Sequence, residues 1–356
     1  MACRNGSLLA DVTTAGSITQ MKDRIPMNLV CIRRMTKRLS HTMRVLFLYR
    51  LVSRLLFTML VVTVSACTQI ATPIRLGPNA AISQPARTET LTLLTLNLAH
   101  GRKDSFNQLL VSGNNTRSNL DEIAVLLRKQ DADIVALQEA DGPSMWSGYF
   151  DHVGYLAGAA GYPWDIRSDH VIGELINYGT GLLSRVAFQE VISHDFPKSP
   201  PTLRKGFTLG QIQWQPDSRR PPVAVDILSV HLDFSRKRVR EQQISDILGV
   251  LESRAYPVII LGDFNSDWLA TDSVIRRLSE CGRTRVFEPF SKDLGTYKSG
   301  KHRLDWVLLS ADLEFRRYEV LPDIISDHEA VVVEVGYTGG NLNDTNAANK
   351  LPVSCH

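Results

Sequence analysis

Gly262-Asp263-Phe264-Asn265-Ser266-Asp267 follows directly on the apolar run Val258-Ile259-Ile260-Leu261. In an extended chain residues two apart share a face, so Asp263 and Asn265 leave the end of a buried strand together, a carboxylate beside an amide. That pairing suits a metal or phosphate site. It suits an ordinary turn equally well, because Asp and Asn are common turn formers and Gly262 fits a tight one. Other apolar runs end the same way. Asn97 closes the run from Leu91, Glu139 follows Asp133 to Leu137, and His231 and Asp233 close the run from Val223. Asp305 stands in Arg303-Leu304-Asp305-Trp306-Val307, and Ser326-Asp327-His328 leads into Ala330 to Val335. Taken singly, Asn97 reads as a cap, Glu139 as a surface charge and His231 as a satisfied core histidine. If the strands converge at one sheet end, three or more carboxylates meet there, and crowded like charges stay ionised only around a cation. Oxygen and amide donors without thiolates select Mg²⁺ or Mn²⁺ over zinc.

The elements that must position these groups are mostly strands. Beside the runs already named, strands are expected at Gly181 to Ser184 and Phe207 to Trp214. Helical spacing appears at Asn119 to Gln130, through Leu120, Ile123, Ala124 and Leu127, and at Arg238 to Leu251, through Val239, Ile244, Ile247, Leu248 and Leu251. Strands dominate and helices fall between only some of them. Two packed sheets covered by helices therefore fit better than a regular parallel alternation. No internal repeat is visible in the sequence.

The N-terminal region reads as targeting. Residues 55–66 form an apolar run too short to span a bilayer comfortably, preceded by Arg33, Arg34, Lys37, Arg38, Arg44, Arg50 and Arg54. Val64-Ser65-Ala66-Cys67 after it resembles a bacterial lipobox, with Cys67 as the lipidated first residue of the mature chain; an uncleaved anchor is the alternative. The expected organisation is a signal peptide with an over-extended start in 1–66, a flexible tether in 67–88, one domain in 89–337 and a disordered tail in 338–356. Such a chain would be a membrane-anchored lipoprotein of the bacterial cell envelope, facing periplasm or exterior, and monomeric. The whole sequence carries 40 Lys and Arg against 37 Asp and Glu, but residues 1–66 hold ten of the former and two of the latter. Without them 30 basic groups face 35 acidic ones, so the nominal basic balance is no argument for nucleic-acid binding. Cys281 and Cys355 are the only cysteines beyond Cys67, and one pair is not a disulfide framework.

The ordered set Asn97 in Leu-Asn-Leu, Glu139 in Leu-Gln-Glu, Gly179-Thr180-Gly181-Leu182-Leu183-Ser184-Arg185, His231-Leu232-Asp233, Gly262-Asp263-Phe264-Asn265, Leu304-Asp305-Trp306 and Ser326-Asp327-His328 resembles the endonuclease/exonuclease/phosphatase superfamily over residues 91–336. The resemblance implies an α+β, deoxyribonuclease I-like fold, a four-layer α/β/β/α sandwich of two mainly antiparallel sheets flanked by helices. It implies a Mg²⁺- or Mn²⁺-dependent phosphoester hydrolase. Glu139 would be the main metal ligand, with Asn97 and Asp327 helping. Asp263 would position or deprotonate water, and Asn265 would bind a phosphate oxygen or metal. His328 paired with Asp305 would contact the scissile phosphate, and His231 would stabilise developing charge or assist the leaving group. Arg204, His170, Tyr178 and His100 are further candidates for substrate contact. Ala99 departs from the acidic or amide residue usual two positions after the first Asn. No phosphoinositide-recognition sequence and no long exposed aromatic hairpin is present; nucleic acid, phospholipid and a small phosphoester all stay open as substrates. A catalytically idle binding lipoprotein is the competing class.

Overall fold

A computed structural model describes residues 84–103, 113–271 and 273–339. The expected signal peptide, Cys67, most of the expected tether, nearly all of the expected tail and Cys355 lie outside the described residues. Ala86, placed by sequence in the tether, is buried and exchanges backbone hydrogen bonds with Gln213 and Gln215.

Six strands form each of two sheets. The first runs in the order β11 (Leu313–Val320), β12 (Val331–Tyr337), β1 (Thr90–Asn97), β2 (Ile134–Asp141), β4 (Tyr178–Ser184), β3 (Trp164–Val171). The second runs β5 (Glu190–Asp195), β6 (Gly206–Trp214), β7 (Val223–His231), β8 (Val258–Asp263), β10 (Asp305–Ser310), β9 (Thr284–Val286). Neighbours are antiparallel except β1 with β2 and β7 with β8. Parallel neighbours need a crossover, here α1 (Gly113–Gln130) and α3 (Lys237–Glu252). With α2 (His152–Ala160) and α4 (Val274–Cys281), the course β1-α1-β2-α2-β3-β4 is repeated as β7-α3-β8-α4-β9-β10. The repeat is one of topology only, which is why no repeat shows in the sequence.

Strand periodicity sorts the core into three layers and confirms the four-layer sandwich. In β1, Leu94 and Leu96 pack with α1 and α2, whereas Leu91 and Leu93 point between the sheets. In β7 and β8, Leu228, Val230 and Ile260 pack toward α3 and α4, whereas Val225, Ile227, Ile259 and Leu261 point between the sheets. Following the inter-sheet face along its strands, the side chains change character. Aliphatic groups give way to Thr95, Gln138 and Ser229, joined by hydrogen bonds of 3.3 Å (Thr95 Oγ1 to Gln138 Oε1) and 3.1 Å (Gln138 Nε2 to Ser229 Oγ). One step further along the same faces stand Asn97, His231, Asp263 and Asp305. The site is thus the polar end of the inter-sheet layer.

Candidate active site

Strand register brings the ionisable groups level. His231 pairs with Asp263 across β7 and β8, and Asp263 pairs with Asp305 across β8 and β10. The close approach behind Asp263 depends on Gly262, which has φ +143° and whose Cβ, if present, would lie 2.1 Å from the Val230 carbonyl oxygen. The two readings of the Asp263 segment both hold. Oδ1 accepts the Asn265 backbone N–H at 2.9 Å, making the turn, with Asn265 at φ +48°. Oδ2 is the convergence point. Asn97 Nδ2 donates to it at 3.0 Å and Asn265 Nδ2 at 3.2 Å, while His231 Nε2 lies 3.6 Å and His328 Nε2 3.9 Å away. Burial pushes this carboxyl up to about 7, with Asp305 acting in the same direction against His328, Asn265 and Asn97.

His328 is fixed from behind. Its Nδ1 bonds Asp305 Oδ2 at 2.8 Å, and Thr296 Oγ1 donates to the same oxygen at 2.6 Å. Ser326 Oγ donates to the Asn97 carbonyl at 2.6 Å, which ties the Ser-Asp-His loop to the end of β1. Burial lowers the imidazole, but Asp305 and Asp263 outweigh it and raise it to about 10. His231 is the opposite case. Burial, and then the Lys205 ammonium 3.0 Å from Nε2, push it far down, so it is a neutral imidazole at pH 7.

Glu139 reaches the cleft through a local irregularity. Counting along β2 places residue 139 with Val135 and Leu137 on the helix-facing side. A β-bulge between Gln138 and Ala140 inserts it as an extra residue at φ +48° and turns it inward. Its Oε1 lies 3.8 Å from Lys205 Nζ and 3.9 Å from His231 Nε2, and its Oε2 lies 3.2 Å from His100 Nε2. Burial opposes its ionisation, yet His100 and Lys205 beside it hold it far below the usual carboxylate range. Left-handed backbone at Ala99, His100, Glu139 and Asn265 concentrates strain here, as is common where side chains must be aimed.

Glu139, His231, Asp263, Asn265 and His328 line one cleft of about 420 Å³, together with Asn97, Arg102, Tyr297, Asp327 and Phe234. Asp327 is bound to Arg102 at 2.6 Å. Glu139 and Asp327 offer carboxylate oxygens and Asn97 an amide oxygen that also accepts the Ala99 N–H at 2.9 Å, a donor set that fits a hard divalent cation. Asp263, Asp305 and His328 also bring ligand-type atoms within 4.8 Å of one another. There Asp305 Oδ2 is engaged by both Thr296 and His328, whereas its Oδ1 is buried without a hydrogen-bond partner among the described residues.

Three expected substrate contacts sit elsewhere. His170 is buried between Asp195 (2.8 Å) and Thr180 (2.9 Å), and Arg204 Nη1 binds Asp195 Oδ2 at 3.0 Å. Neither lines the cleft: both bond Asp195 at the end of β5. Tyr178 is buried and its hydroxyl donates to the Arg204 carbonyl at 3.0 Å. Its ring instead walls His100, with centroids 5.4 Å apart. Lys205, the neighbour of Arg204, is the cation that enters the site. Neither Lys205 nor Arg102 was expected from sequence, since both look like ordinary surface cations until the strands are paired.

Two mainly antiparallel sheets between helices thus bring four carboxylates (Glu139, Asp263, Asp305 and Asp327), two histidines (His231 and His328) and two amides (Asn97 and Asn265) to one end. The Endonuclease/Exonuclease/phosphatase family model matches residues 94–328, and the chain belongs to that family. No curated protein sequence matches. Solved structures of similar fold include an endonuclease/exonuclease/phosphatase family protein from Leptotrichia buccalis C-1013-b, at 18% identity, TM-score 0.54, covering 69% of this chain and 100% of that one. The endonuclease/exonuclease/phosphatase from Bacteroides vulgatus is similar at 14% identity, TM-score 0.54, covering 70% and 99%. A mannosyl-6-phosphatase from Bacteroides thetaiotaomicron VPI-5482 is similar at 16% identity, TM-score 0.51, covering 69% and 100%. At these identities the likeness is one of fold.

Proposed function

We propose that this chain is a divalent-metal-dependent phosphoester hydrolase of the phosphodiesterase or nuclease kind, in which Asp263 positions and deprotonates the attacking water. The observation that carries this is Asp263 Oδ2, a buried carboxylate oxygen met by Asn97, Asn265, His231 and His328 at 3.0, 3.2, 3.6 and 3.9 Å. A turn or a salt bridge does not need four such partners drawn from separate strands and loops. Raised by burial, Asp263 can take a proton near neutral pH. His328, kept protonated by Asp305, is the cation suited to a phosphate oxygen. His231 is neutral, so it serves as a hydrogen-bond partner, and the charge beside it comes from Lys205. Asn265 holds Asp263 and faces the cleft. Glu139, Asn97 and Asp327 would hold the cation, which when bound supplies neutralisation of the phosphate charge. Asp263→Ala or His328→Ala in the full-length protein should lower the rate on a generic phosphodiester by at least about three orders of magnitude. Undiminished hydrolysis in excess chelator, or in both variants, would sink the assignment.

A phospholipid is the second reading, favoured by the surface around the cleft. Among the described residues, eight of the ten exposed large apolar side chains stand on loops at the cleft end: Met145, Tyr149, Leu175, Leu203, Phe234, Leu269, Phe290 and Ile324. Lys198, Lys298 and Lys301 on those loops are interspersed with Glu174, Asp267 and Asp323, a mixed charge that supports a lipid interface better than a long polyanion. A parallel assay on plasmid DNA, RNA, sphingomyelin, phosphatidyl lipids and inositol phosphates separates the readings. We also propose attachment to the cell envelope through a lipidated Cys67. Cys67→Ser should then release the protein from the membrane fraction, and unchanged partitioning would refute the lipid anchor.

A further inference from the structure

Glu139 is held from behind as well as from the cleft. Nε2 of His100 lies 3.2 Å from Glu139 Oε2, and Nδ1 of the same ring bonds Oδ1 of the fully buried Asp141 at 2.7 Å. Trp146 and Tyr178 meet the imidazole edge-on, with ring centroids 5.7 and 5.4 Å away. To place this ring, the backbone enters the left-handed region at two successive non-glycine residues, Ala99 at φ +46° and His100 at φ +56°. L-residues adopt that conformation only where the surroundings impose it. His100 stands behind Glu139 and outside the residues that line the cleft. The construction parallels the one at the opposite carboxylate, where Asp263 faces His328 and Asp305 fixes the far nitrogen.

We propose that His100, clamped by Asp141, is a positioning residue for the metal-binding carboxylate, fixing the orientation of Glu139 before the cation arrives. This rests on the reading that Glu139 holds a divalent cation. A glutamate free to rotate would lose side-chain entropy on binding the ion, whereas one already fixed loses little. Outer partners of metal ligands act in this way, and removing one weakens metal affinity by about 10–100-fold. The orienting partner here is a histidine that is itself anchored by a second, deeper carboxylate.

The test uses the full-length protein and Mn²⁺ as the probe, with free Mn²⁺ read by electron paramagnetic resonance. His100→Asn keeps a residue type that tolerates positive φ but is too short to reach Glu139. It should weaken Mn²⁺ binding by about 10–100-fold, more than it lowers kcat at saturating Mn²⁺. His100→Gln, whose longer amide can donate to Glu139, should recover part of the affinity. Asp141→Asn leaves the imidazole but loosens its anchor, and it should weaken binding in the same direction; it decides the matter if His100→Asn does not fold. Native Mn²⁺ affinity in the folded variants would overturn the proposal. So would nitrogen coupling from His100 in the bound Mn²⁺ signal, which would make the ring a ligand. A native protein that binds no Mn²⁺ refutes the metal-dependent reading and this proposal with it, whereas native affinity in His100→Asn refutes this proposal alone.

Discussion

Asp305→Asn isolates the charge that keeps His328 protonated. In the native site burial pushes His328 down, but Asp305 at 2.8 Å from Nδ1 and Asp263 at 3.9 Å from Nε2 outweigh it and raise the imidazole to about 10. Asparagine keeps the volume and still accepts from Nδ1, yet carries no charge. With the strongest favourable interaction removed and burial unchanged, the ring should titrate no higher than its ordinary value of about 6.5. At pH 8 a group titrating near 10 is almost wholly protonated, whereas one near 6.5 is about 3% protonated, so the imidazolium population falls about thirtyfold. At pH 6 the same comparison gives less than about a twofold loss. The assay is kcat/KM on a soluble phosphodiester across this pH range at saturating Mg²⁺. The native profile should rise as Asp263 loses its proton near about 7 and fall as His328 loses its own near about 10. Because the two groups face each other, both limbs belong to the pair. In the variant the descending limb should move down by several pH units. A purely geometric loss would lower the whole curve without tilting it, so equal losses at pH 6 and pH 8 would refute the role given to His328. Stability has a matching sign: a raised histidine stabilises fully below about 6.5, and that contribution is lost as pH rises toward 10. Asp305→Asn should therefore lower the denaturation midpoint more at pH 6 than at pH 10.

Other perturbations probe other parts of the construction. Gly262→Ala would drive a methyl group into the Val230 carbonyl, and overpacking of that kind should cost about 1–3 kcal/mol, read as a fall in the urea midpoint; a native midpoint would show that β7 and β8 can part there. Lys205→Met keeps the buried bulk and removes the cation beside His231, so the His231 ring should titrate at higher pH than in the native protein by NMR. An unmoved resonance would mean that burial alone holds it neutral. Glu139→Gln should abolish high-affinity Mn²⁺ binding while leaving the fold's circular dichroism unchanged, and retained binding would place the cation elsewhere.

Much of this site can be seen in the sequence because strand parity is simple. In β7 and β8, Val225, Ile227, Ser229 and His231, and Ile259, Leu261 and Asp263, alternate toward the inter-sheet layer, so apolar runs that end in His and Asp announce where the chemistry sits. Elements with weak alternation were less legible. β5 and β11 are edge strands with few fully buried positions, and β3, Trp-Asp-Ile-Arg-Ser-Asp-His-Val, buries polar groups that hydrogen-bond within the sandwich instead of leucines. The short helices α2 and α4 span too few turns to show a long apolar stripe. Residues 113–118 of α1, Gly-Asn-Asn-Thr-Arg-Ser, carry no apolar spacing in the sequence, and only Thr116 among them is buried.

Glu139 marks where parity reasoning stops. Its identity as a strand-end carboxylate was plain, but even spacing points it toward α1 and α2, into a cluster of leucines where no carboxylate could stay charged. One extra residue between Gln138 and Ala140 reverses its direction. The bulge also accounts for the surroundings of the carboxylate. Once turned, it needs counter-charge on both oxygens; His100, which the sequence offered only as a substrate contact, and Lys205, which it did not single out, provide it. Irregular backbone at Ala99, His100, Glu139 and Asn265 is thus the means by which a sandwich built on strict alternation brings charges from two sheets to one point, and it is the part that a reading of periodicity cannot see.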